Sequence, residues 1–300
     1  MYDTLAFYMA GIEPERVEPL LNPATAREVI PKRSGLVSHE GSVKGLFVRC
    51  SESAGVRVSG SLAKFANGSN AVALQLGAFR EAVQELEMLF GCSLGVARVS
   101  RMDCGVTVSV PGTCKEYIST MQGLVGFERR EIGSGLCYWQ KAKELAIYDK
   151  AAELREHGEQ VPERFREGGA LRVELRQRRR LTEQFGGVVT LERLQGGEFW
   201  NSQLERIEKT AAAIHILERQ RFPMRTRKER TALLYRCAVQ QLGEDGFLSG
   251  LYESWKAGGM SESTYKRERR KVRMAAQGKG GEQRKEFLGA IRAEMERLRA

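Results

Sequence analysis

Tyr148 and Lys150 stand two residues apart inside the run Glu144 to Leu154, Glu-Leu-Ala-Ile-Tyr-Asp-Lys-Ala-Ala-Glu-Leu. If residues 145–150 form a strand, period-2 alternation sends Ala146, Tyr148 and Lys150 to one face and Leu145, Ile147 and Asp149 to the other. A tyrosine beside a cation is suited to attack a phosphate. The positive neighbour lowers the phenol pKa from its usual value of about 10 and neutralises charge developing on the phosphoryl oxygens. Tyr148 is therefore a candidate nucleophile and Lys150 its charge stabiliser. A half-buried tyrosine with a snorkelling lysine is also ordinary sheet chemistry, and this segment alone leaves both readings open.

Two further segments carry a polar face over an apolar one. In Arg101-Met102-Asp103-Cys104-Gly105-Val106-Thr107, the residues Arg101, Asp103, Gly105 and Thr107 oppose Met102, Cys104 and Val106; in Leu171 to Arg176, Arg172, Glu174 and Arg176 oppose Leu171, Val173 and Leu175. A carboxylate from each strand, Asp103 and Glu174, supplies the hard oxygens that Mg²⁺ or Mn²⁺ takes in metal-assisted phosphoryl transfer. Salt bridges along the sheet surface, Asp103 to Arg101 and Glu174 to Arg176, account for the same pattern, and periodicity does not separate the two.

The elements that must position these groups follow from the rest of the chain. Residues 1–10 alternate as a strand; Gly45 to Cys50 and Gly55 to Phe65 read as a hairpin; Gly77 to Phe90 is an amphipathic helix stopped at Gly91. Val96 to Val110 is a long strand closed by Pro111-Gly112, and Thr113 with Glu116 forms a capping box that starts a helix. Gly133-Ser134-Gly135 marks a hairpin turn, Ala151 to His157 continues as helix, Ala170 to Arg176 is a strand and Arg178 to Phe185 a helix. This alternation predicts an α+β domain on a largely antiparallel sheet, residues 1–195. From 196 to 300 the pattern is helical, with capping boxes or caps at Thr226–Glu229 and Ser261, a break at Lys279-Gly280-Gly281, and an apolar seam of Leu288, Ile291, Met295 and Leu298.

With 300 residues the chain can bury one large or two modest cores. It has no apolar run of transmembrane length and no basic leader, which makes the cytoplasm the expected location and leaves no membrane partner. Six scattered cysteines without a Cys-x-x-Cys pair indicate neither a zinc site nor a disulfide framework, and they read as reduced, mostly buried thiols. The net charge of +10 is concentrated near the C-terminus, where Trp255 to Ala300 holds 13 Lys/Arg against 6 Asp/Glu, so the expected partner is a polyanion. Helix, Gly-containing turn and basic helix, with Lys266, Arg267, Arg270 and Lys271 on the second helix, are the ingredients of a helix-turn-helix.

Four motifs in this order carry a resemblance. Ser59-Gly60-Ser61-Leu62-Ala63-Lys64-Phe65 with Gly68 and Asn70, Ala97 to Asp103, Ile147-Tyr148-Asp149-Lys150 with Glu153-Leu154, and Leu171 to Arg176 resemble the gene II/gene X type replication initiators of filamentous phages and related plasmids. The resemblance covers residues 55–182 and fades beyond. Met102 stands where Ile or Leu is more usual, a volume-conserving change, and the His-hydrophobe-His metal motif of other rolling-circle initiators is absent. The family's tyrosine carries over to Tyr148, and its acidic strand residues to Asp103 and Glu174. The resemblance implies a nicking enzyme that forms a 5′-phosphotyrosyl intermediate, with Lys64, Arg101, Arg172 and Arg176 added to the basic helix as DNA contacts. It implies the bacterial host cell as the location, and origin DNA, duplex and single-stranded, a host helicase and a replication polymerase as partners, with a homodimer left open. A relaxase-like nickase for element transfer and a non-catalytic origin-binding protein are the competing readings.

Overall fold

The computed structural model describes residues 1–30, 35, 37–52, 55–217, 227–276 and 282–299. Among these, ten strands form one sheet: β1 (Tyr2–Met9), β2 (Arg27–Val29), β3 (Ser38–Val43), β4 (Leu46–Ser51), β5 (Gly55–Ser61), β6 (Arg98–Val110), β7 (Glu128–Ile132), β8 (Gly135–Trp139), β9 (Lys143–Asp149) and β10 (Gly169–Gln177). Their order across the sheet is β2-β3-β4-β5-β1-β6-β10-β9-β8-β7, with every pairing antiparallel. The α+β expectation is met.

The alternation of β6 explains its central place. Met102, Cys104, Val106 and Val108 are buried on one face, in line with Leu171, Val173 and Leu175 of β10 and with Leu145 and Ile147 of β9. Tyr2 of β1 lies opposite Cys104. Its ring meets Phe79 of helix Leu76–Phe90 at 4.7 Å and Trp200 of helix Gly197–Ala212 at 5.0 Å, both edge-on. Those two helices thus close the apolar side of the sheet. Trp200 is 1% exposed and donates its indole N–H to the carbonyl of Leu298 at 3.3 Å. Truncating such a residue to alanine costs about 3–5 kcal/mol.

The described chain divides into two compact units, Met1–His215 with Phe287–Ala300, and Ile216–Glu286. The sheet unit therefore runs past residue 195, because the helix Gly197–Ala212 buries Phe199, Trp200, Leu204 and Ile207 within it. The last helix, Glu282–Arg299, returns to the sheet unit through Phe287, Ile291, Met295 and Leu298. Phe287 rather than Leu288 is fully buried in that seam. In the second unit, helix Arg227–Lys256 is interrupted at Gly243 (φ 73°, ψ 162°), and Ser261 caps helix Glu262–Ala276 by accepting the Thr264 N–H at 3.2 Å. Thr226 and Lys279-Gly280-Gly281 lie outside the described residues.

Three local expectations change. The strand read over Gly55 to Phe65 ends at Ser61, whose hydroxyl accepts the Lys64 N–H at 3.2 Å and caps a helix over Leu62–Asn67. The helix expected from Arg178 forms only over Leu181–Phe185, after Arg180 takes a left-handed φ of 56°. Strand β3 was not expected, since Ser-His-Glu-Gly-Ser-Val has no clear alternation, and its pairing with β4 makes it a strand. The described cysteines are free; Cys50, Cys104, Cys114 and Cys137 are buried and Cys237 is exposed. No helix among the described residues is long and apolar enough to cross a membrane.

Candidate active site

Antiparallel register places the polar positions of the central strands in rows. Tyr148 of β9, Arg172 of β10 and Thr107 of β6 lie side by side; the next row holds Ala146, Glu174 and Gly105, and the next Glu144, Arg176 and Asp103. The three segments singled out by alternation are thus neighbours on one face.

Tyr148 is half-buried and donates its hydroxyl to Glu174 Oε2 at 3.0 Å. Burial pushes its pKa well above the usual tyrosine range, and the Glu174 charge adds to this while Arg172 opposes it. The expected lowering of the phenol pKa by a neighbouring cation is therefore reversed: burial and the Glu174 charge hold the phenol neutral. Glu174 Oε1 accepts from Arg176 Nε at 3.2 Å, and Arg176 also reaches Glu144 Oε1 at 2.7 Å.

Lys150 is not on the strand. Asp149 ends β9 and caps helix Lys150–Glu156 by accepting the Ala152 N–H at 3.0 Å, so Lys150 begins the helix. Its ammonium is fully buried between Glu153 Oε2 at 2.7 Å and Asn70 Oδ1 at 2.9 Å. Strand alternation failed here because an aspartate at an N-cap redirects the chain.

Arg172 is 1% exposed. Its guanidinium donates to Asp3 Oδ2 at 2.9 Å and to Thr107 Oγ1 at 3.1 Å, while Nε is buried without a partner. It crosses the sheet over Gly105, where a Cβ would stand 2.8 Å from Nε, so only glycine leaves the path open. Asp3 also accepts from Ser61 Oγ at 2.7 Å and from Asn70 Nδ2 at 3.3 Å. Burial raises the Asp3 carboxyl, but Arg172, Ser61, Lys150 and Asn70 outweigh it, and the pKa lies below the ordinary value. A buried network, Arg172–Asp3–Asn70–Lys150–Glu153, thus runs beside Tyr148.

Asp103 is fully buried and receives a forked contact from Arg101, with Nε at 3.0 Å from Oδ2 and Nη2 on the same oxygen. Burial raises its carboxyl pKa, the Arg101 hydrogen bond lowers it, and the nearby Glu174 charge raises it further. Asp103 and Glu174 are diagonal neighbours on adjacent strands. The two expected salt bridges, Asp103 to Arg101 and Glu174 to Arg176, are both formed. No group of three His, Cys, Asp or Glu residues that could hold a metal occurs among the described residues. Asp103 and Glu174 are hard-oxygen donors of the type Mg²⁺ takes, each engaged here by an arginine.

Among the other expected DNA contacts, Lys64 is ion-paired with Glu159 at 2.6 Å, and its side chain is 41% exposed. The side chains of Arg101 and Arg176 are 37% and 24% exposed. In the second unit Lys266 pairs with Glu262 at 2.7 Å, while Lys271 and Arg267 both reach Glu268; Arg270 is exposed.

The family model for the N-terminal region of the phage gene II-type replication-associated protein matches residues 1–203. The chain belongs to this family. Its members are gene II-type rolling-circle replication initiators, which act on origin DNA. The matched segment begins at Met1, well before residue 55 where the motif resemblance begins, and takes in β1 with Asp3 as well as the first turns of the helix Gly197–Ala212. Comparison with individual curated proteins gives no match.

Sequence reasoning missed Asp3, Thr107 as a partner of Arg172, and Glu144. An aspartate between Tyr2 and Thr4 at the start of a mostly apolar strand was the available signal, since an acid there is buried only if paired.

Proposed function

We propose that this gene II-family initiator nicks one strand of its origin with Tyr148 as nucleophile. The Tyr148 Oη–Glu174 Oε2 hydrogen bond at 3.0 Å carries the reading, because it joins a candidate nucleophile to a group that can take its proton. As the phenol oxygen attacks phosphorus, its proton passes to Glu174. The P–O3′ bond breaks, and the departing 3′ oxygen takes up a proton. The products are a 5′-phosphotyrosyl link and a free 3′-OH, with the number of phosphoester bonds conserved.

Arg172 is the buried cation beside the tyrosine and stabilises charge there without leaving the protein, and Lys150 is tied to it through Asn70 and Asp3. Arg101 and Lys64 are partly exposed and take the phosphates of the incoming strand, and Arg176, also partly exposed, meets that strand beside Tyr148. Asp103 and Glu174 are the residues that would hold Mg²⁺ or Mn²⁺, with Arg101 drawn off to a phosphate. When bound, such an ion polarises the phosphate. The 3′-OH then primes a host polymerase, with a helicase opening the duplex ahead.

Incubation of the protein with supercoiled cognate DNA and Mg²⁺ tests the reading. The expected product is an open circle with protein attached through Tyr148. Cleavage without a covalent adduct, or an adduct on another tyrosine, rejects it.

A further inference from the structure

The polar face of the sheet has a hole beside Tyr148. On β8 and β9 the positions on this face nearest the tyrosine are Gly135, Cys137 and Ala146, all small and all buried. A Cβ placed on Gly135 would stand 3.0 Å from the Tyr148 Cβ, so the glycine keeps the floor down where the tyrosine ring rises. The result is an open notch of about 260 Å³. Tyr148, Glu153 and Arg176 form one side, and Ile132, in register opposite Gly135 at the tip of the β7–β8 hairpin, forms the other. Ile132 is 61% exposed, unusual company for a charged cleft.

We infer that this notch seats one nucleobase of the strand being cut, from a nucleotide flanking the phosphate that faces Tyr148. The inference rests on the proposed role of Tyr148. Flat apolar walls, an aromatic ring and a branched aliphatic side chain, suit the faces of a base. Arg176 supplies N–H donors and Glu153 a carboxylate acceptor at the polar end, which match the mixed donor and acceptor edge of a base and not the uniformly anionic surface of a phosphate. The volume accommodates a single base, and a base held between the two walls cannot keep its stacked neighbours, so the nucleotide must be unstacked from a melted strand before it enters. The notch thereby ties cutting to prior origin melting, because the phosphate reaches Tyr148 only when its neighbouring base has left the duplex.

The test uses the full chain and single-stranded oligonucleotides spanning the mapped nick site, each with one abasic position in turn. Binding is read by fluorescence anisotropy with the Tyr148→Phe protein, and cutting with the wild type. One abasic position adjoining the nick should weaken binding about tenfold, the worth of one base–aromatic stack. Ala146→Leu, which fills the notch, should slow cutting of the intact oligonucleotide by a similar factor and erase the penalty of that abasic position. Ile132→Ala, on an exposed residue whose loss leaves the fold alone, should shrink the same penalty. Equal binding of all abasic oligonucleotides overturns the inference, as does an unchanged penalty in Ile132→Ala, which decides the matter if Ala146→Leu does not fold. Nicking by Tyr148→Phe would instead remove the nucleophile assignment, while the binding arm still reports on the notch.

Discussion

Arg172 on β10 donates to Asp3 on β1 at 2.9 Å, across the intervening strand β6 and through the gap left by Gly105. The pair is separated by 169 positions in the chain, and both side chains are buried. Removing one partner strands the other charge in a low-dielectric interior. Asp3→Asn should therefore lower unfolding stability by about 3–5 kcal/mol. The double variant Asp3→Asn/Arg172→Met should lose clearly less than the sum of the single losses, as urea unfolding of both single variants and the double would show. Additive losses would mean that the pair is not coupled.

The same carboxylate sets an acid limit. Because the folded pKa of Asp3 lies below its unfolded value, its contribution is fully present above that unfolded value of about 3.9 and is lost as pH falls through the folded value. Below about pH 4, the wild type should lose stability more steeply than Asp3→Asn. Parallel acid-unfolding curves would contradict this.

Tyr148→Phe removes one hydroxyl and its bond to Glu174 while keeping the ring. Nicking should be abolished, with a stability change of only about 1 kcal/mol, because Glu174 keeps its bond from Arg176. Agarose-gel assay of supercoiled substrate and thermal unfolding measure the two effects. Residual nicking at wild-type rate would send the search to Tyr138, which is buried and bonded to the Gln122 carbonyl at 3.1 Å.

Asp103→Asn and Glu174→Gln preserve shape and remove charge. If the pair holds a divalent ion, each variant should raise the Mg²⁺ or Mn²⁺ concentration that supports half-maximal nicking, and each should weaken Mn²⁺ binding followed by electron paramagnetic resonance. An unchanged metal requirement in both variants would leave Asp103 and Glu174 as ion-pair partners of Arg101 and Arg176.

In the basic helix Glu262–Ala276 the Lys266–Glu262 pair is exposed, worth little in water and ready to exchange for phosphate, while Arg267 and Lys271 share the mostly buried Glu268. Neutralising Lys266, Arg267, Arg270 and Lys271 should weaken duplex-origin binding and reduce the log–log salt slope by about one unit per lost phosphate contact. Cutting of a single-stranded oligonucleotide should persist. Wild-type affinity and slope in the quadruple variant would place duplex recognition in the sheet unit.

The elements and their faces were legible in the order of residues alone. Alternation in Arg101 to Thr107, Leu145 to Tyr148 and Leu171 to Arg176 assigned each residue to its side of a strand, because a side chain's direction depends only on the local backbone. The capping box at Thr113 and Glu116 and the stop at Gly91 were equally legible, being contacts within a single turn. The motifs pointed to the family for the same reason, being short and contiguous. Beyond the local pairs Arg101–Asp103 and Arg176–Glu174, which charges meet was settled by packing between distant segments. Insertion of β1 between β5 and β6 brings Asp3 within reach of Arg172, Ser61 and Asn70, and no local signal encodes that strand order. Packing also buried Arg172 and Lys150, both readable from sequence merely as cations, since burial of a charge depends on partners supplied from far along the chain. The notch beside Tyr148 has the same origin: Gly135, Cys137 and Ala146 are ordinary small residues until register sets them side by side.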